Sequence, residues 1–264
     1  MLGIDLGSRQ VKIVEMEDIS PGDYRVKQTA VYDTISFYRE HGLKKEDRLQ
    51  VDFAALGFLQ NQPIVATGYG KATLPVDGAI QIPEIEAHVQ GALYQSGLQD
   101  FTLLDIGGQD TKVVKVCGGR MVDFRTNDRC AASSGRYVEN MAAILGVELE
   151  EMGLFYEQPV ELSSTCAIFG ETEIIAKIVE GYSTSQLIAG VNTSLYKRFA
   201  SMLERLESDV IVLSGGGAKN PALAKIISRE RKAEVYTLPQ LEFNGAIGCC
   251  VIGWKKFASN DFLK

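Results

Sequence analysis

The chain has 264 residues, a formal net charge of −7 and 45% hydrophobic residues. This length accommodates one large domain or two modest ones, and the hydrophobic content is ample for a packed core. The acidic balance and the lack of a long basic run argue against nucleic acid or an anionic membrane as a partner. The sequence has no signal-peptide pattern at its start and no stretch of transmembrane length, so we expect a cytoplasmic protein.

Two similar segments lie about a hundred residues apart. Residues 3–14 (GIDLGSRQVKIV) and residues 104–114 (LDIGGQDTKVV) each contain an apolar run, an aspartate, a glycine turn and a β-branched run with a lysine. Each pattern predicts a strand, a tight turn and a returning strand. The repeated hairpin suggests two related lobes, residues 1–100 and residues 101–264, with a C-terminal helix that can pack back on the first lobe.

Further segments follow helical or extended patterns. The predicted helices have apolar residues three or four positions apart, and they cover 49–56, 83–93, 137–145, 174–179, 187–206, a segment opened by Pro221 and an apolar segment after Asn244. The predicted strands cover 24–32, 63–68, 210–213 and 234–238. Because strands and helices mix throughout and the hairpins exclude a purely parallel sheet, the predicted class is α/β.

Each hairpin places an aspartate, Asp5 or Asp105, between a strand and a glycine turn. Such a layout suits a phosphate with a divalent metal, because backbone amides bind phosphate oxygens and carboxylates hold metal-bound waters. Residues 214–217 (SGGG) repeat the strand-to-glycine junction, where backbone can pack against a flat ligand. An ordinary turn explains any one of these patterns, but the three in order favour a nucleotide site. Since no Walker-type loop is present, ATP bound in this manner is preferred over NAD.

The five cysteines fall into two groups. Cys130 and Cys166 each stand in a polar-flanked segment ahead of a helical pattern, where a helix start favours a thiolate and a negatively charged cluster. Cys117, Cys249 and Cys250 are interpreted as small buried hydrophobes. An all-thiolate iron–sulfur cluster needs four ligands, which a two-fold dimer would supply. Zinc bound by four thiolates satisfies the same count, so the residues alone leave the metal open.

The hairpins and the glycine segment together resemble the phosphate and adenosine motifs of the sugar kinase, heat-shock chaperone and actin superfamily. The resemblance implies a two-lobed actin/hexokinase/Hsp70-like fold with duplicated ribonuclease-H-like lobes that bind ATP and Mg²⁺. It assigns catalytic roles to Asp5, Asp105, Gln109 and Asp110, with Gln109 or Asp110 orienting the hydrolytic water. It assigns nucleotide contacts to Gly7, Ser8, Arg9, Lys12, Gly107, Gly108, Gly215, Gly216, Gly217 and Ala218.

The segments around the two cysteines resemble a narrower family. Residues 127–136, 163–171 and 66–70 are similar to the ATP-dependent activators of 2-hydroxyacyl-CoA dehydratases. Related ATPase subunits serve benzoyl-CoA reductases and double-cubane cluster proteins. The resemblance implies a homodimer that holds one oxygen-sensitive [4Fe-4S] cluster through Cys130 and Cys166 of both copies. It also implies ferredoxin or flavodoxin as the electron donor and a client iron–sulfur enzyme as the acceptor.

Some residues depart from that family. Ser133 and Ser134 stand where Gly-Thr is usual, so their hydroxyls bond cluster sulfurs or cap the helix, and Arg9 stands where Thr is common. These departures leave the client protein open. Two other functions also stay open: a small-molecule kinase of the same superfamily, which needs a catalytic base, and a regulatory ATPase with structural zinc. His41 and His88 are interpreted as surface or packing residues.

Overall fold

The computed structural model describes residues 1–20, 23–59, 61–68, 75–127, 134–163 and 167–258. Contacts divide the chain into two units. The first unit contains Met1–Gly97 together with the chain from Glu242 onward, and the second contains Leu98–Leu241. Within the described ranges, no helix is both long enough and apolar enough to cross a membrane.

The strands and helices follow one another as a mixed α/β chain. The strands are β1 (Leu2–Leu6), β2 (Gln10–Ser20), β3 (Asp23–Asp33), β4 (Leu43–Lys45), β5 (Arg48–Gln50), β6 (Ile64–Thr67), β7 (Ala79–Gln81), β8 (Phe101–Ile106), β9 (Thr111–Cys117), β10 (Arg120–Asn127), β11 (Val210–Ser214) and β12 (Glu234–Thr237). The helices are α1 (Thr34–His41), α2 (Glu84–Ser96), α3 (Gly135–Leu145), α4 (Ala167–Val179), α5 (Thr184–Arg205), α6 (Pro221–Arg231) and α7 (Asn244–Ala258).

The five-stranded sheets of the two units have the same topology. The first sheet has the order β3-β2-β1-β6-β7 and the second the order β10-β9-β8-β11-β12. In each sheet the first three strands pair antiparallel and the last three pair parallel. The two hairpins recognised in the sequence therefore occupy equivalent positions, β1–β2 and β8–β9. The predicted α/β fold with a duplicated unit is confirmed.

Helix α7 packs closely against α2 within the first unit. A Cβ added to Gly248 would lie 1.8 Å from the Ala87 carbonyl oxygen, and one added to Gly91 would lie 2.1 Å from the Asn244 carbonyl oxygen. No side chain other than hydrogen fits at either position, so the two helices come into backbone contact. Because α7 also packs against β1, it sets the position of α2 relative to that strand.

The predicted helix over residues 49–56 is wrong. Leu49 belongs to β5, and Phe53 and Leu56 lie in turns, although all three pack in the core of the first unit. The Asp52 carboxylate accepts hydrogen bonds from the two backbone amides at positions 54 and 55. A side chain that binds the local backbone in this way competes with helix formation. The spacing of the apolar residues in this segment therefore reflects their burial in the core, although the segment is not helical.

The interpretation of the three remaining cysteines is correct for two of them. Cys249 and Cys250 are completely buried on α7, as expected. Cys117 is exposed, because it ends β9 just before the Gly118–Gly119 turn. Burial raises the pKa of the Cys250 thiol to about 12, so this side chain is a neutral thiol near neutral pH.

This difference predicts a pattern of alkylation. In the native protein at mildly alkaline pH, iodoacetamide is expected to modify Cys117 and to spare Cys249 and Cys250, because the thiolate is the reactive form. Peptide mass spectrometry after brief treatment measures the modified fraction of each residue. The protein unfolded in urea serves as the control, in which all three react. Equal modification of Cys117 and Cys250 in the native protein would contradict the packing of α7.

Candidate functional site

In the first hairpin, a buried aspartate faces a lysine. Asp5 on β1 lies opposite Lys12 on β2 in the antiparallel register, and Asp5 is only 4% exposed. Lys12 reaches over the turn, since a Cβ added to Gly7 would lie 3.4 Å from its Nζ atom. Ser8 is half-buried in the same turn. The structure thus brings together the carboxylate, the turn and the cation that the sequence grouped.

The turn of the first hairpin is held by the junction of β3 and α1. The Thr34 hydroxyl donates a hydrogen bond of 2.8 Å to the Gly7 carbonyl oxygen, and Arg9 Nη1 lies 2.8 Å from Asp33 Oδ2. Asp33 also accepts from the Ser36 backbone N–H at the start of α1. That N–H, and then the Arg9 guanidinium, hold the pKa of Asp33 below its ordinary value. Arg9, a predicted nucleotide contact, is therefore held at the exposed rim of the turn.

The second hairpin contains a buried charged network. Asp105 on β8 lies opposite Lys112 on β9, and both are at least 95% buried. Lys112 Nζ lies 2.7 Å from Asp110 Oδ2 and 3.8 Å from Asp105 Oδ2, and the Ser214 hydroxyl donates to Asp105 Oδ1 at 2.7 Å. The sequence analysis missed Lys112 and Ser214 as members of this network. The spacing of seven residues between aspartate and lysine, the same in both hairpins, could have identified the lysine.

The two candidates for orienting a water differ in their surroundings. Asp110 is partly buried, is paired with Lys112, and accepts the Gly107 N–H at its backbone carbonyl at 2.9 Å. Gln109 is exposed to solvent at the tip of the turn. Asp110 already binds the turn through its carbonyl and Lys112 through its carboxylate. Gln109 is therefore the better candidate for orienting the hydrolytic water.

The third glycine segment begins beside Asp105. Ser214 ends β11 and is in register with Asp105 on the neighbouring parallel strand. Gly215 follows with a φ of 85°, and an added Cβ would lie 2.5 Å from the Ile106 carbonyl oxygen. Only glycine combines this left-handed conformation with such close packing. The loop is therefore held directly against the end of β8.

The next three residues have different environments. An added Cβ on Gly217 would lie 2.4 Å from Ile106 Cγ2, whereas one on Gly216 would meet nothing within 4 Å. The side chain of Ala218 is 4% exposed and belongs to the core of the second unit. Among the predicted adenosine contacts, Gly216 has free space beside its Cα atom. Ala218 can contact a ligand only through its backbone, because its side chain is buried.

Helix α3 begins on the turn of the second hairpin. The Gly135 N–H donates to the Gly107 carbonyl at 2.9 Å, and the Arg136 N–H donates to the Gly108 carbonyl at 3.3 Å. The Ser134 hydroxyl also donates to the Gly108 carbonyl, at 2.8 Å. Ser134 is fully buried at the N-cap of α3, but its side chain makes no capping hydrogen bond. The Ser134 hydroxyl thus joins α3 to the hairpin and does not cap the helix. Ser133 lies outside the described residues, and a bond from either hydroxyl to a cluster sulfur stays a prediction.

The same kind of contact occurs in both units. Thr34 at the start of α1 binds the first hairpin through Gly7, and Ser134 at the start of α3 binds the second through Gly108. Thr34 and Ser134 are 100 residues apart (134 − 34), as are the two hairpin aspartates (105 − 5). The duplication thus includes the hydroxyl that connects each hairpin turn to the following helix.

Cys130 and Cys166 lie outside the described residues, so their role as metal ligands stays a prediction. Helix α4 begins at Ala167, directly after Cys166 in the sequence, and α3 begins at Gly135, five residues after Cys130 (135 − 130 = 5). A helix start presents the positive end of the helix dipole, although the first two N–H groups of α3 already bind carbonyls of the hairpin. The dipole at both helix starts is a feature that favours thiolate ligands.

A group of side chains that the sequence analysis missed lies beside Asp5. Ligand atoms of Asp5, Glu84 and His88 all lie within 4.8 Å of one another. His88 is 6% exposed, so its environment is a buried carboxylate cluster and not the protein surface. Glu84 and His88 are one helical turn apart, which is the signal that could have indicated a shared site.

The chain is similar to known proteins over nearly its whole length. The model of the BadF/BadG/BcrA/BcrD ATPase family matches residues 2–253. The 2-hydroxyisocaproyl-CoA dehydratase activator of Clostridioides difficile is 33% identical over 266 residues, which cover 95% of this chain and 93% of that protein. The (R)-2-hydroxyglutaryl-CoA dehydratase activating ATPase of Acidaminococcus fermentans is 34% identical over 272 residues, covering 97% and 98%. The solved activator of the 2-hydroxyisocaproyl-CoA dehydratase from Clostridium difficile with bound ADPNP has a TM-score of 0.80 at 25% identity, covering 100% of this chain and 97% of that one.

Proposed function

Because this chain belongs to the BadF/BadG/BcrA/BcrD ATPase family, we propose that it couples ATP hydrolysis to the transfer of single electrons into a client iron–sulfur enzyme. Two copies hold one [4Fe-4S] cluster through Cys130 and Cys166 of each copy. The client is a 2-hydroxyacyl-CoA dehydratase or a double-cubane cluster protein in the cytoplasm. When bound, the cluster would supply one-electron chemistry between reduced ferredoxin or flavodoxin and an oxidised client cluster, while ATP and water become ADP and phosphate.

The two hairpins are proposed to hold the nucleotide. Asp5 and Asp105 would hold the waters of Mg²⁺, and the glycine amides of the two turns would meet phosphate oxygens. Buried carboxylates beside glycine turns have the chemistry that this ligand requires. Lys112 and Ser214 support the proposal, because they place a cation and a hydroxyl donor beside the Asp105 carboxylate and orient it. The open face of Gly216 suits the flat adenine ring.

The observation that carries the proposal is the set of hydrogen bonds from the start of α3 to the carbonyls of Gly107 and Gly108, which we call the joint between the second hairpin and α3. Phosphate binding at the turn would reorient the peptide groups of Gly107 and Gly108. Because Ser134 and the first amides of α3 bind the carbonyls of those groups, the helix start must follow them. The segment immediately before Ser134 contains Cys130. ATP and ADP can therefore favour different arrangements around that cysteine, which is the differential binding that a nucleotide switch requires.

Electron transfer itself can be measured in a single turnover. The anaerobic protein is reduced, mixed with an oxidised low-potential viologen dye, and given MgATP or MgADP. We expect the electron paramagnetic resonance signal of the reduced cluster to disappear faster with MgATP, with equivalent dye reduction. Equal rates with the two nucleotides would contradict the proposed coupling. An iron-free protein that phosphorylates a sugar or an acid would support the kinase instead.

A Ser134→Ala variant tests the joint. We expect iron content and ATP affinity to remain. In the wild-type protein, a chelator should remove iron at different rates in MgATP and in MgADP. In Ser134→Ala, the ratio of these two rates should be about fivefold closer to one. Fivefold corresponds to the roughly 1 kcal/mol that a typical hydrogen bond contributes. Absorbance of an iron-chelator complex, followed over time with each nucleotide, gives the two rates.

Ser228→Ala is the matched control for this variant. The Ser228 hydroxyl donates to the Ala233 carbonyl at 3.1 Å, so this change also removes a single hydroxyl-to-backbone bond in the second unit. The control should keep the wild-type ratio. A wild-type ratio in Ser134→Ala itself would show that the joint does not transmit the nucleotide state.

A further inference from the structure

We propose that Asp5, Glu84 and His88 of the first unit form a binding site for a divalent transition-metal ion. Their ligand atoms lie within 4.8 Å of one another, and Asp5 and His88 are more than nine-tenths buried. All three residues belong to one unit, so one chain supplies the whole set. The site shares Asp5 with the proposed nucleotide site, but it requires neither the nucleotide nor the cysteine cluster to form, and it therefore goes beyond the proposed function.

The fold holds the three ligands by separate means. Asp5 is fixed on β1, while Glu84 and His88 lie one turn apart on α2 and so share a helix face. The Asn244 side-chain amide donates to the His88 carbonyl at 2.9 Å, and Gln95 Nε2 donates to Asn244 Oδ1 at 3.0 Å. This chain of hydrogen bonds anchors α2 to the start of α7 next to the imidazole ring.

A glycine keeps space open at the ligand atoms. A Cβ added to Gly245 would lie 2.9 Å from Asp5 Oδ2 and 3.0 Å from His88 Nε2. Any other residue would fill the space that both atoms face. Metal–ligand bonds of about 2.0–2.3 Å separate opposite ligands by about 4.0–4.6 Å. Separations within 4.8 Å are therefore compatible with one ion after small side-chain adjustments.

Charge and donor type indicate the class of ion. Two carboxylates lie close together in a largely buried place, where a cation near both is favoured. A divalent cation compensates both. Mg²⁺ and Ca²⁺ prefer oxygen ligands alone, whereas imidazole suits Fe²⁺ and Zn²⁺ and carboxylates suit Mn²⁺. The mixed set therefore favours Mn²⁺, Fe²⁺ or Zn²⁺.

Metal binding also determines where the imidazole proton lies. Coordination through Nε2 requires the proton on Nδ1, which lies 3.5 Å from the Asn244 side-chain nitrogen. At that separation the Asn244 amide makes at most a weak contact with Nδ1, and it keeps its hydrogen bond to the His88 carbonyl. In the competing arrangement the proton is on Nε2, and His88 serves the carboxylates as a hydrogen-bond donor without any metal.

Manganese binding to the full-length, nucleotide-free protein distinguishes His88 as a metal ligand from His88 as a hydrogen-bond donor to the carboxylates. We expect one Mn²⁺ per chain, with a nitrogen coupling from the imidazole in pulsed electron paramagnetic resonance. His88→Gln should remove this coupling and raise the Kd at least about tenfold, and Glu84→Gln should raise the Kd by a similar factor. The matched control is His41→Gln on α1, which should keep both the affinity and the coupling. Thermal unfolding of each variant checks that it is folded.

Two outcomes would overturn the site. One is the absence of Mn²⁺ binding without nucleotide in the folded wild-type protein. The other is bound Mn²⁺ whose nitrogen coupling is missing or survives in His88→Gln. The test is independent of the proposed function: a chain that binds Mn²⁺ but never iron–sulfur would contradict only the electron-transfer proposal. A chain with the cluster and ATP hydrolysis but no Mn²⁺ would contradict only this site.

Discussion

A Cys130→Ala variant is expected to lose the iron, the sulfide and the visible absorption of the anaerobically purified protein, together with electron delivery to a client. Removing one thiolate from each copy leaves two of the four ligands that an all-cysteine cluster requires. ADP binding is expected to survive, because the two hairpins and the glycine loop lie in other segments. Iron and sulfide assays with calorimetric ADP titration measure the two halves of the prediction.

Cys117→Ala is the control for the loss of a cysteine. Cys117 is an exposed cysteine of the second unit, at the end of β9, so its removal should leave iron content and electron transfer unchanged. Cys166→Ala should reproduce the effect of Cys130→Ala. Normal iron content in Cys130→Ala would remove this residue from the ligand set and with it the proposed shared cluster.

An Asp105→Asn variant is expected to hydrolyse ATP at least about 100-fold more slowly, a loss typical of removing one preorganised electrostatic group. Asparagine keeps the shape and can still accept the hydrogen bond from the Ser214 hydroxyl, but it lacks the carboxylate that faces Lys112 and that would hold metal-bound waters in the proposed site. Because Lys112 keeps its partner Asp110, the protein should remain folded. Phosphate release gives the turnover rate, and the iron assay should match the wild type.

Asp123→Asn provides the matched control. Asp123 lies on β10 of the same unit, where its exposed carboxylate pairs with Arg125 at 2.9 Å. This change alters the net charge equally but should leave turnover unaltered, since exposed pairs are weak and distant charges are screened. If Asp105→Asn hydrolysed ATP as fast as this control, Asp105 would have no part in catalysis.

Local patterns in the sequence were sufficient to predict the hairpins. An apolar run, an aspartate and a glycine turn specify β1–β2 and β8–β9 through nearby residues, and the register that sets Asp5 against Lys12 follows from the turn. The helices over residues 137–145 and 187–206 were likewise visible from their spacing. A similar apolar spacing over residues 49–56 predicted a helix that does not form, because the Asp52 side chain binds the local backbone there.

The long-range contacts of the site could not be read in this way. Ser214 meets Asp105 from 109 positions away, because β11 lies beside β8 in the sheet. His88 lies near Asp5 because α7 packs against both α2 and the strands of the first sheet. Ser134 binds Gly108 because α3 starts on the hairpin. None of these contacts leaves a local periodicity, so each depends on the assembled fold.

In the proposed assembly, two copies of this chain share one iron–sulfur cluster. Native mass spectrometry under strictly anaerobic conditions, combined with iron and sulfide assays, can detect this assembly. We expect a two-chain species that carries one cluster, with four iron and four sulfide per pair of chains, and that loses them in Cys130→Ala and Cys166→Ala. A single-chain species free of iron, or a pair of chains that holds zinc in place of iron and sulfide, would contradict it.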